Sequence, residues 1–95
     1  MIDPEEYYLA CAGEECLEVA TRIQKAIRFG ILEQQPGQDL NNWQRIAEEW
    51  DDLQTAMEVL IEKLSLQYTR TGQTEKRQKI EKYLKHAQSV SQVSV

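Results

Sequence analysis

Two close pairs of carboxylates sit inside helix-forming sequence in this 95-residue chain: Glu15 with Glu18, and Glu49 with Asp52. Each pair is spaced i, i+3, which places the two Cβ atoms roughly 5 to 6 Å apart on adjacent turns of one helix. Four carboxylates brought together repel, and they take up protons or splay apart unless a cation neutralises them. Hard oxygen donors of this kind suit Mg²⁺, or Mn²⁺ in its place, ions that keep several waters and bind substrate phosphates beside a few protein carboxylates. The plain alternative is a solvated acidic face, which this spacing alone describes equally well.

Cations and aromatics lie within reach of the same stripes. Lys25 continues the side of the helix that carries Glu15 and Glu18, and Arg28 follows near the helix end, so both can meet an anion or, for Arg28, the helix dipole. Lys76, Lys79 and Lys82 offer a second basic wall, from the same chain or another copy, or simply a solvated face. Phe29, before the loop, and Trp43, near the start of the second helix, lie between the two acidic pairs and can stack on a planar ligand. Asn41, Asn42 and Gln44 can read base edges, although helix capping accounts for the asparagines as well.

The elements that must position these groups are helices. Asp3 and Pro4 provide an N-cap and a first helical residue, and the segment to about Phe29 is rich in helix formers, with Gly30 as its stop. On a wheel of about 100° per residue, Tyr8, Ala12, Val19 and Ile23 gather on one face, with Glu15, Glu18, Arg22 and Lys25 beside it. ILEQQPGQD breaks the period, and a second helix is expected from between Asp39 and Asn42 to about Tyr68. Its stripe is Ile46, Trp50, Leu53, Met57, Leu60 and Leu64, with Glu49 and Asp52 alongside. After TRTGQT, Thr74 is expected to cap a third, shorter helix carrying Ile80, Tyr83, Leu84 and Ala87. The reading is one helical domain over 1–88 and a loose tail over 89–95.

The fold class is therefore all-α, two long antiparallel helices plus a shorter third. One chain makes an incomplete bundle, and a small domain buries little of its surface, so a bundle completed by a homo-oligomer, dimer or tetramer, is expected. A net charge of -5 argues against a nucleic-acid surface. No apolar run approaches the roughly 20 residues that span a bilayer, and MIDPEEYY lacks the layout of a signal peptide, so a cytoplasmic protein is expected. Cys11 and Cys16, five apart on a helix, point in different directions and read as two buried thiols. With His86 the single histidine, a zinc site lacks ligands.

Residues 14–18, EECLE, followed by residues 48–52, EEWDD, resemble the short acidic motifs of the all-α MazG-type nucleotide pyrophosphohydrolases. KAIRFG, residues 25–30, and the AEEWDDLQTAMEVL helix are similar to that family too, so the likeness covers about two-thirds of the chain. It implies a Mg²⁺-dependent enzyme that splits a nucleoside triphosphate into a monophosphate and pyrophosphate. Position by position it implies Glu15, Glu18, Glu49 and Asp52 as metal ligands and catalytic residues, with Lys25, Arg28 and Lys79 on phosphates and Trp43, Phe29 and Asn42 around the base. Residues 19–48 form a longer gap between the motifs than most members have, which implies an enlarged loop. A loose similarity to the viral members that remove dGTP makes guanine nucleotides the expected substrate. The alternatives are a dUTP- or phosphoribosyl-ATP-type pyrophosphohydrolase and, from another class, a non-catalytic helical self-association module.

Overall fold

The computed structural model describes residues 2–93, which form three helices: α1 (Pro4–Phe29), α2 (Asn42–Lys63) and α3 (Gln73–Val93). No strand occurs among the described residues, so the all-α expectation holds. No helix there is long and apolar enough to cross a membrane.

The start of α1 follows from its first residues. The Asp3 side chain accepts from the Glu5 backbone N–H at 3.0 Å, Pro4 needs no such partner, and Glu5 and Glu6 face the positive end of the helix dipole. Its end is set by Gly30, whose φ of 103° is open to glycine and whose N–H still closes the last turn on the Ala26 carbonyl. α2 opens with a capping box, in which the Asn41 side chain accepts from Gln44 N–H while the Gln44 side chain accepts from Asn41 N–H.

α2 stops at Lys63, five residues before the Tyr68 expected from its apolar period. Ser65 takes a left-handed backbone at φ 52° and donates its N–H to the Glu62 carbonyl, while Leu66 N–H reaches the Ile61 carbonyl. These are the two bonds of a Schellman motif, formed with serine where glycine is usual. The apolar residues continue past this point, but the backbone has already turned.

α1 and α2 pack as an antiparallel hairpin. Asn42 at the head of α2 bonds the Gly30 carbonyl at the foot of α1, and mid-helix Glu15 meets mid-helix Glu49 and Asp52. Ala12 and Leu60 are the buried hydrophobic residues of the seam, flanked by half-buried Tyr8, Val19, Ile46, Leu53 and Ala56. The stripe predicted for α2 therefore lines the seam only in part. Trp50 remains 52% exposed because it lies to one side of the Leu53 and Leu60 line. The expectation of two buried thiols is also corrected: Cys11 is half-buried and Cys16 is exposed.

Among the described residues α3 makes no contact with the hairpin. It begins at Gln73, so Thr74 stands within its first turn instead of capping it. It spans 21 residues against 22 for α2, scarcely shorter. It also runs through residues 89–93, expected as loose tail, while Ser94 and Val95 lie outside the described residues. Ile80, Tyr83 and Leu84, its expected packing row, are about half exposed or more. The resulting shape is extended, 57 × 40 × 21 Å with a radius of gyration of 17.7 Å, where a compact chain of this length would have about 12 Å.

Candidate metal centre

The hairpin brings three of the four predicted carboxylates together. Glu15 from α1 and Glu49 and Asp52 from α2 each offer an oxygen within 4.8 Å of the others. Opposite oxygens of an octahedral magnesium site stand roughly 4.2 Å apart, so small side-chain rotations suffice to close these acids on such an ion. Glu15 and Glu49 are half-buried and Asp52 is exposed, which leaves one side of the cluster open to water or a phosphate.

Glu15 is the centre of this arrangement. Its Oε2 is shielded from solvent and has no hydrogen-bond partner, even though the residue as a whole is only half-buried. Its carboxyl is held above the ordinary carboxylate range, first by loss of solvent and then by the charges of Asp52, Glu49, Glu18 and Glu14. A shielded acceptor facing two other acids attracts either a proton or a metal ion.

Glu18 does not join the cluster; it is exposed one turn further along α1 and acts on Glu15 through its charge. The i, i+3 rule puts Glu18 beside Glu15 on its own helix but does not say which of the two faces α2. Lys25 is half-buried on the same helix. Arg28 stacks its guanidinium over the Phe29 ring, 5.2 Å from the centroid, a cation–π contact at the end of α1. Lys79 is exposed on α3, away from the hairpin.

Trp43 is 52% exposed at the head of α2 and Phe29 50% at the foot of α1, so both aromatics sit at the loop end of the hairpin with a free ring surface. Asn42 is different. It is 4% exposed, and its side-chain amide donates to the Gly30 carbonyl at 2.8 Å and to Glu33 Oε2 at 2.9 Å. Its two N–H groups are thereby committed, and the residue acts as a clasp between the loop and both helices. Backbone bonds from Asn42 N–H to Glu33 and from Trp43 N–H to Ile31 complete the closure. Glu33 was not foreseen in this role, because nothing local to a glutamate in a polar loop marks an asparagine nine residues away as its donor.

Two hollows elsewhere, one along Arg77, Glu81 and Lys85 of α3 and one against Ile2, Pro4 and Tyr8, gather no comparable chemistry; the first is only the face of a single helix. Comparison with protein-family models, with curated proteins and with solved structures gives no match.

Proposed function

We propose that the chain is a divalent-metal-dependent nucleoside triphosphate pyrophosphohydrolase, releasing a monophosphate and pyrophosphate, with dGTP or GTP as the first substrate to test. The observation that carries this reading is the meeting of Glu15, Glu49 and Asp52 from two helices around an unpartnered, shielded carboxylate oxygen. The resemblance of EECLE and EEWDD to the MazG-type motifs adds the reaction class.

Under this reading Glu15, Glu49 and Asp52 hold the ion, Mg²⁺ or Mn²⁺, with Glu18 near enough to adjust the charge of Glu15. The bound ion supplies charge neutralisation at the triphosphate and an acidified water. Asp52, the exposed member, is placed to accept a proton from a water approaching the open side. Lys25 pairs with the outer phosphates, and the free faces of Phe29 and Trp43 offer stacking for a base. Arg28, stacked over the Phe29 ring, can still direct its in-plane N–H groups at a phosphate. Lys79 contributes only from another copy or after a rearrangement of α3.

Product analysis across the common nucleoside triphosphates, with Mg²⁺ present, tests the proposal. The expected result is stoichiometric pyrophosphate from one base class, lost in Asp52→Ala and Glu49→Ala with helical content unchanged. No turnover on any triphosphate, or activity retained in both variants, overturns it. A phosphoribosyl-ATP- or dUTP-type activity would appear in the same panel as a different preferred substrate.

A further inference from the structure

The net charge of -5 hides a division between the helices. α3 carries five cationic side chains against two acids, a formal charge of +3, whereas the rest of the chain has six cations against fourteen acids. Charge is uneven around α3 as well. On a wheel of about 100° per residue, Ile80, Tyr83, Leu84, Ala87 and Val90 gather in an arc of about 120°. Lys76 falls inside that arc, Lys79 and Arg77 stand about 20° beyond its two edges, and Glu75 and Glu81 lie about 60° beyond them. One half of the helix is therefore apolar with a cationic border and no acid, while Lys82 and Lys85 share the other half with both glutamates.

The hairpin does not cover the apolar half. Among the described residues α3 makes no contact with α1 or α2, and Ile80, Tyr83, Leu84 and Val90 are between 49 and 63% exposed. A helix in this position draws no stability from its amphipathic face until that face meets a surface. We infer that α3 docks flat on an anionic lipid surface, with the row of Ile80, Tyr83, Leu84 and Val90 set among the headgroups and Lys76, Arg77 and Lys79 beside the lipid anions. The helix lies on the bilayer and does not cross it, as its charged far half requires.

Three observations select lipid as the occupant. The apolar row would be idle on a nucleic-acid backbone, which is held through its phosphates by cations. Four of the five cations are lysines. Protein–protein interfaces are depleted in lysine and enriched in arginine, whose rigid fork matches a fixed carboxylate; a flexible point charge on a long stem suits a fluid surface without register. Tyr83, in the middle of the row, is an amphipathic ring of the kind that settles at headgroup level. The acids of the hairpin do not prevent the approach, because residues 67–72 alone reach about 20 Å when extended, more than twice the roughly 8 Å over which exposed charges act at physiological salt. The inference uses none of the clustered carboxylates, so it stands apart from the catalytic proposal.

The test pellets the full chain with sucrose-loaded vesicles. The chain should sediment with phosphatidylcholine vesicles that contain phosphatidylserine and stay in solution with phosphatidylcholine alone. Each cation at such a surface contributes roughly a fivefold factor in affinity, so Lys76→Gln with Lys79→Gln should weaken binding roughly 25-fold. Removing the same charge from the far half, in Lys82→Gln with Lys85→Gln, should weaken it less than about fivefold. Ile80→Asn with Leu84→Asn should abolish sedimentation. No binding to the phosphatidylserine vesicles, equal binding to phosphatidylcholine alone, equal losses from the two lysine pairs, or sedimentation retained in Ile80→Asn with Leu84→Asn would each overturn the inference. So would tighter binding to a single-stranded oligonucleotide that is indifferent to the Ile80 and Leu84 changes, which would make the occupant a nucleic acid.

Discussion

The clasp at Asn42 gives the sharpest quantitative expectation. Replacing Asn42 with Asp preserves shape but turns the amide nitrogen into an oxygen, so two acceptors, the Gly30 carbonyl and Glu33 Oε2, face a third. A neutral hydrogen bond contributes about 1 kcal/mol net and one to a charged partner about 1.5 to 3 kcal/mol, so the loss should be roughly 2.5 to 4 kcal/mol. For a domain of this length each kcal/mol corresponds to about 4 to 8 °C, so the Tm should fall by about 10 °C or more. Urea and thermal unfolding followed by far-ultraviolet circular dichroism, at one fixed protein concentration, measures it. Glu33→Gln in the Asn42→Asp background should recover part of the loss, because the new amide can donate to the new carboxylate. The clasp also sets where α2 stands against α1, so Asn42→Asp should weaken Mn²⁺ binding at the distant carboxylates. A loss below about 0.5 kcal/mol, the range of ordinary surface substitutions, would refute the reasoning.

Other outcomes follow from the same geometry. Glu15 holds its proton in the folded chain at pH values where the unfolded chain, near the ordinary 4.5, has released it. The associated stability is present in full below that value and is lost as pH rises through the raised one. Metal-free wild type should therefore lose Tm across that window, and Glu15→Gln should remove that loss together with the Tm gain from added Mn²⁺; an unchanged pH slope in the variant would exclude Glu15 as the cause. Ser65→Gly should raise stability by roughly 0.5 to 1 kcal/mol, since a left-handed residue strains any side chain, and a lower Tm would show that the serine contributes something beyond its backbone.

Much of the hairpin was legible because its signals are local. Asp3 and Pro4, and Gly30, each fix a helix end within a few residues, the start of α2 falls at the edge of the expected Asp39–Asn42 window, and Leu53 and Leu60 mark the seam by periodicity. The end of α2 was not legible, because Leu64 and Leu66 prolong the apolar pattern while the turn at Ser65 is a backbone event with an atypical residue. Trp50 was read as core because a helical stripe is broad, and its two edges differ only once the neighbouring helix is in place. The same limit applied at the acids: spacing paired Glu15 with Glu18, whereas the packing chose Glu15 and turned Glu18 outward. Asn42 and Glu33 required the path of a loop that no local pattern specifies.

The independence of α3 also shapes how the chain acquires its structure. Among the described residues every contact between helices joins α1 to α2 across the loop of residues 30–41. The contacts that join α1 to α2 are complete without α3, so docking of the hairpin does not depend on the C-terminal helix.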